Sequence, residues 1–257
     1  MKFCRQPAGI LFVALFQVAI SASVAAAPVG VGSDCVILLH GMARTAGSMN
    51  KMEQSLEDRG YAVANIDYPS RDHKIEILAP LAVELGLHEC RSMGDFKALH
   101  FVTHSLGGIL VRYYLSEHEV GNLGRVVMLG PPNQGSHAAD VMQDLPGFDW
   151  LNGPAGSQLG KGPDSIPLQL GPANFDLGVI AGDRSIDPIT SAVLDNPDDG
   201  RVSVEDTKLE GMLDFRVVGT SHAFIMANTE VIGLVASFLD HGSFDPQSET
   251  DQASVWP

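Results

Sequence analysis

The sequence predicts an α/β fold: a central, mostly parallel sheet of about six strands, flanked by helices on both faces. Three observations carry that prediction. From Asp34 onward, short apolar runs alternate with segments of helical spacing, the pattern of repeated βαβ crossovers. The runs are apolar at consecutive positions, as in Val36-Ile37-Leu38-Leu39, so these strands are expected to be covered on both faces. Glycine is abundant at 27 of 257 residues and aromatic content is only 7%, a balance that suits tight strand-to-helix turns better than an all-β sandwich.

The elements follow in order. Val36–Leu39 is the first strand. Met49 to Arg59 has helical spacing and stops at Gly60, a residue type that closes helices. Tyr61 to Ile66 is the second strand, ended by Asp67-Tyr68-Pro69-Ser70, and Ile75 to Leu87 is the next helix. Leu99 to Thr103 is a strand running straight into Ser105; helical spacing resumes from Ile109 to Glu117 after Gly107-Gly108. Val126–Leu129 leads into Gly130-Pro131-Pro132, Leu177–Ala181 and Phe215–Val218 are the last two strands, and Thr229–Leu239 is the last helix. Residues 131–175 break the alternation with many Gly and Pro residues. A loop that long inside a compact domain is usually functional, so a lid or a pocket wall is expected there. No long amphipathic helix marks it as a large lid.

The flanks read differently. Lys2 and Arg5 precede an apolar run from Ala8 to Ile20, then small residues up to Ala27 and Pro28. Residues 1–27 therefore read as a secretory signal peptide, and the product as secreted or periplasmic. The apolar run is shorter than the ~20 residues a bilayer-spanning helix needs, so no stable membrane insertion is expected. Residues 28–241 form one domain, and the polar, acidic residues 242–257 are expected to be a disordered tail. There is no internal repeat.

Charge and cysteine usage narrow the function. The formal net charge is −15, and loss of Lys2 and Arg5 with the leader makes it two charges more negative. Repulsion from phosphate backbones argues against a nucleic-acid partner. No Cys/His spacing suggests zinc, and no Gly-x-Gly-x-x-Gly follows a strand, so no metal and no cofactor are expected. Cys4 leaves with the leader. Cys35 lies at the start of the first strand, and Cys90 lies between a helical stretch and the next strand. Helices end on the sheet edge where parallel strands begin, so a disulfide between Cys35 and Cys90 is expected in an oxidising compartment.

The most informative string is Leu99-His100-Phe101-Val102-Thr103-His104-Ser105-Leu106-Gly107-Gly108. A strand ends at a serine and a helix begins at once, which forces a sharp, strained turn with the hydroxyl exposed. Small residues are needed two before and two after; Gly107 meets this, and Thr103 stands where the usual pattern has Gly. Leu106 supplies an unpaired N–H at a helix N-terminus, a suitable donor to an oxyanion. Val36 to Met42 is a second signal, an apolar strand ending in His40-Gly41 some 65 residues before the serine.

On these strings the sequence resembles the α/β-hydrolase superfamily, and within it the small bacterial lipases and esterases, from about Val36 to Leu239. The resemblance implies Ser105 as nucleophile, with Met42 and Leu106 N–H groups forming the oxyanion hole. His40 would hold the loop shape, Arg44 would line the pocket or face solvent, with solvent the expectation, and His104 would point away from the serine. The superfamily's chain order of serine, acid and histidine places the base at His222, directly after the last strand. Imidazole suits that role because it titrates near working pH. The acid falls between them. Asp199 in Asp199-Gly200-Arg201-Val202 fits the lipase pattern best, with Asp187, Asp183 and Asp198 as alternatives. Pro132-Asn133-Gln134-Gly135-Ser136 resembles a loop near the acyl pocket, and Ser136 has no elbow around it to make it a rival nucleophile. The implied activity is hydrolysis of carboxylic esters, of lipid or small-molecule type, through an acyl-enzyme. An acyltransferase, an amidase or peptidase, or a non-catalytic binder of hydrophobic ligands would use the same fold.

Overall fold

The six strands of the computed structural model, which describes residues 1, 34–143 and 153–245, lie in one sheet. They are β1 (Cys35–Leu39), β2 (Ala62–Ile66), β3 (Leu99–His104), β4 (Leu123–Leu129), β5 (Leu177–Gly182) and β6 (Asp214–Val218). Their spatial order is β2-β1-β3-β4-β5-β6, and every neighbouring pair is parallel. The sheet is thus wholly rather than mostly parallel.

Consecutive apolar residues serve the two faces in alternation. Cys35, Ile37 and Leu39 pack with the helices α2 (Ile75–Met93) and α3 (Leu106–Glu117). Val36 and Leu38 pack on the other side with α1 (Asn50–Glu57) and the last long helix, Thr229–His241. Burying apolar side chains on both faces gives two cores and leaves only the sheet's ends for chemistry.

Several boundaries differ from the sequence reading. Helix α2 continues to Met93, so Cys90 lies within its last turn rather than after it, and its thiol meets Cys35 in a disulfide with Cα atoms 6.0 Å apart. Helix α3 starts at Leu106, because Gly107 and Gly108 are helical rather than part of a connecting loop. The chain also stays on the fold past 241. Gly242 closes the last helix in a left-handed conformation, and Phe244 is buried against Phe238. The expected leader and most of the expected tail lie outside the described residues, as do 144–152 of the excursion.

The described part of residues 131–175 holds the helix α4 (His137–Gln143) and a single turn at Ile166–Gln169. Arg112 of α3 pins it. Its buried guanidinium donates to the carbonyls of Asn133, Pro167, Leu170 and Gly171 and to Asn133 Oδ1. Burial pulls this arginine's pKa down to about 10, so it remains charged near neutrality and its cation is satisfied by dipoles alone. Among the described residues, no helix is long and apolar enough to cross a membrane.

Candidate active site

The chain starts on β1, adds β2 to one side, then crosses to place β3 on the other. The carboxyl ends of β1 and β3 therefore meet where the strand order reverses, the position at which open parallel sheets bind ligands. The His40-Gly41-Met42 loop leaves β1 there, and Ser105 follows β3 directly.

Ser105 has φ +52° and ψ −119°, a backbone conformation that L residues rarely adopt. The turn is possible because its neighbours give room. A Cβ at Gly107 would lie 2.7 Å from the Leu39 carbonyl oxygen. Thr103 is tolerated because the space it needs is ceded by Gly108, whose added Cβ would sit 3.2 Å from Thr103 Oγ1. The paired small residues thus lie in 107–108 rather than on both sides of the serine.

Three side chains from distant segments converge here. Ser105 Oγ lies 3.0 Å from His222 Nε2, and His222 Nδ1 lies 2.7 Å from Asp199 Oδ2. With a carboxylate facing Nδ1, that nitrogen carries the proton and Nε2 accepts from the serine hydroxyl. Asp199 is fully buried and aimed by its own turn. Its Oδ1 accepts from the Arg201 and Val202 N–H groups at 2.9 Å each, leaving Oδ2 for the imidazole. The His222 N–H in turn donates to the Asp199 carbonyl at 2.9 Å. Gly130 makes the acid–base contact possible. At φ +54°, its absent Cβ would stand 3.0 Å from Asp199 Oδ2 and 3.1 Å from His222 Nδ1.

The other carboxylates are engaged elsewhere. Asp187 caps its own short helix through the Ile189 and Thr190 N–H groups and the Thr190 hydroxyl. Those hydrogen bonds hold its carboxyl below the usual range. Asp198 accepts from Ser191 Oγ and the Gly200 N–H, both at 2.7 Å, and Asp183 is exposed after β5. Ser136 donates to the Arg201 carbonyl at 2.7 Å.

A cleft of about 480 Å³ opens over these groups. Ser105 and His222 are in its floor, Met42, Ala43 and Arg44 on the β1 loop side, and Pro132, Ala138, Ala139 and Leu159 of the excursion on the remaining wall. In its described part the excursion lines the cleft. Among the described residues the Met42 and Leu106 N–H groups meet no backbone or side-chain acceptor, the state an oxyanion donor requires. Among the same residues no group of three or more His, Cys, Asp or Glu is arranged to hold a metal ion.

Comparison with known proteins bears on the fold. Residues 35–158 match the family model for palmitoyl protein thioesterase, a span that holds β1 to β4 and Ser105 but ends before Asp199 and His222. Among solved structures, a mature lipase from Bacillus licheniformis superposes with TM-score 0.64 at 20% identity, covering 83% of this chain and 94% of the lipase. Phospholipase PlaB from Legionella pneumophila gives 0.64 at 17% identity, over 86% of this chain and 63% of that one. Lipase B from Aspergillus fumigatus gives 0.63 at 17% identity, over 84% and 54%. No curated protein matches the sequence.

The chain has the α/β-hydrolase fold. Set against the site pattern expected of that fold, the structure brings Ser105, His222, Asp199, Met42 and Leu106 to one place. Two expectations need correction. Of the two readings of Arg44, the structure supports pocket lining rather than the favoured solvent one. Arg44 is half-buried, lines the cleft and donates from Nη2 to the Ala223 carbonyl at 3.1 Å, because the β1 loop curls toward the His222 loop. His104 does not turn away from the site. Its buried ring lies 4.7 Å from the His222 ring, and its Nε2 faces the His222 carbonyl at 3.1 Å. Burial, followed by the neighbouring His222 and Arg44 charges, holds His104 well below the ordinary histidine range, so it stays neutral.

His40 does hold the loop shape. It stacks on Tyr68 at 4.1 Å and accepts the Tyr68 N–H. Sequence reasoning missed Gly130, whose role is set by side chains 69 and 92 positions later. It also missed the second strained residue, Ala43 at φ +54°, whose N–H is held by Ser70 Oγ at 3.1 Å. Only the small side chain at 43 hinted at it.

Proposed function

We propose that the chain is a serine hydrolase of carboxylic esters that works through an acyl-enzyme. The observation that carries this reading is the continuous relay from Asp199 through His222 to Ser105, at 2.7 and 3.0 Å, with the serine in a strained elbow on the floor of a cleft. In this mechanism Ser105 Oγ attacks the acyl carbonyl while His222 Nε2 takes its proton. Asp199 keeps the imidazole in the correct tautomer and stabilises the imidazolium. The Met42 and Leu106 N–H groups receive the oxyanion. His222 then protonates the departing alcohol, and water, deprotonated by the same nitrogen, releases the carboxylic acid and restores Ser105.

A second reading has its own support. The family-model match to palmitoyl protein thioesterase favours acyl thioesters, which the same atoms would cleave with a thiol leaving. We also propose that residues 1–27 direct export and that the hydrolase domain covers 28–241. The Cys35–Cys90 disulfide supports an oxidising compartment.

A fluorophosphonate probe tests the reaction. Folded protein should take up one label at Ser105, and oxygen esters and thioesters of matched acyl length should be turned over. Absence of both labelling and turnover would sink the proposal. The N-terminal residue of the secreted protein tests the leader; a product beginning at Met1 overturns it.

A further inference from the structure

Arg44 is the feature of this cleft that the relay leaves unexplained. It stands two residues past Met42, half-buried, on the wall of the cleft that holds Ser105. One of its five N–H donors is used, toward the Ala223 carbonyl. Among the described residues it has no carboxylate partner. The other arginine on the cleft, Arg201, differs in this respect, since Asp187 lies 3.6 Å from it.

A half-buried cation without a counter-ion is costly, because desolvation is not repaid. Here that cost is borne in a chain with 31 acidic and 16 basic residues, where a carboxylate partner was readily available. The buried groups nearest to it in charge are histidines: its positive charge pushes down the protonation of both His104 and His40. Among the described residues, then, no carboxylate pairs with Arg44, and the cleft is where an anion can enter.

Position indicates which part of a substrate supplies it. A base that returns its proton to the leaving group must have that group beside it. Arg44 is hydrogen-bonded to the residue immediately after His222, so its guanidinium borders the leaving-group side. The excursion wall, with Pro132, Ala138, Ala139 and Leu159, offers an apolar surface for the acyl chain.

We propose that Arg44 recognises an anion on the leaving group, and that the preferred substrates are acyl esters or thioesters of alcohols or thiols bearing a phosphate or carboxylate. A planar guanidinium binds either group through paired hydrogen bonds. This inference rests on the ester-hydrolase reading above.

The test compares kcat/KM within matched pairs. One pair is 1-butyrylglycerol and 1-butyrylglycerol 3-phosphate; the other is phenyl butyrate and 3-carboxyphenyl butyrate. Monophenyl glutarate carries its anion on the acyl side as a control. The wild-type protein should favour the anionic member of at least one pair by about tenfold or more, and the pair concerned identifies phosphate or carboxylate as the anion. Arg44→Gln should lower the anionic rate at least about tenfold more than the neutral one, and Arg44→Lys should keep part of the preference. The chain's overall negative charge acts on each variant almost alike, so the change in ratio isolates the guanidinium. Three results would overturn the proposal: no anion preference in the wild-type protein, an equal fall on both members in Arg44→Gln, or a preference for monophenyl glutarate instead. If Arg44→Gln does not fold, the wild-type ratio and Arg44→Lys decide. Loss of all ester turnover and of probe labelling in the wild-type protein would instead refute the hydrolase reading itself.

Discussion

Two histidines four residues apart on β3 mark the two ends of the sheet and are treated in opposite ways. His100, near the strand's start, has both ring nitrogens engaged: Nδ1 accepts the Arg125 N–H at 2.8 Å, and Nε2 faces Asp34 Oδ2 at 3.4 Å. His104, at its end, uses Nε2 on the His222 carbonyl and leaves a buried Nδ1 without a partner among the described residues. The same contrast extends to their surroundings. The lower end is tied by the Cys35–Cys90 disulfide and by Tyr61 bonded to Asp240. The upper end collects the non-glycine residues at positive φ among those described, Ala43 and Ser105, and the crowded Gly130. Backbone strain gathers where function is proposed, and the opposite edge is closed by cross-links that hold the layers together.

If that division is real, damage at the upper edge should remove activity with modest loss of stability, and damage at the lower edge should do the reverse. The largest expected effect is on catalysis. Ser105→Ala should abolish probe labelling and lower ester turnover by ~10⁴-fold or more, with the thermal midpoint little changed. Steady-state rates and a melting curve on the same preparation check both halves. A variant that unfolded instead would break the contrast.

At the lower edge, Cys35→Ser with Cys90→Ser opens a 55-residue separation and should cost about 2–4 kcal/mol, or roughly 10 °C in Tm, while kcat at 25 °C is largely kept. A severe loss of kcat in protein that is still folded would show that the two edges are coupled.

Gly130→Ala sharpens the comparison. The added methyl should destabilise by about 1–2 kcal/mol through its left-handed backbone. It should also push the imidazole off the carboxylate, so that kcat falls more than stability alone explains. Ordinary kcat with only a lowered Tm would mean that the relay tolerates displacement.

The smallest effect is on pH dependence. Burial lowers the pKa of both His100 and His104 in the folded chain, and lowers His104 further, so the unfolded chain binds protons more readily at these sites. Their contribution is complete above about pH 6.5 and is lost as pH falls below that value. Tm should therefore drop between pH 7 and 5. His104→Gln should flatten that drop more than His100→Gln, because Asp34 partly offsets burial at His100. Equal slopes would erase the distinction between the two ends.

The order of strands and helices was readable because consecutive apolar residues and glycine-marked turns are local consequences of burial and backbone sterics. The elbow at Ser105 was readable for the same reason, and so was the placement of His222 after the last strand, through its resemblance to a known chain order. Helix ends were less legible. Residues 107–108 and 88–93 continue their helices because packing against β1 and the Cys35 thiol outweighs local propensity. Which aspartate faces His222 was left open among four, since every Asp-rich turn looks alike until its N–H groups are assigned to particular oxygens.

By itself, then, the sequence determined the sheet, the strained serine and the residue types that could assist it. Only the tertiary structure decided that Asp199 Oδ2 faces the imidazole, that His104 lies beneath the base, and that Arg44 borders the cleft with no carboxylate partner among the described residues. These relations are set between segments 23 to 179 residues apart, by distances that no local pattern encodes.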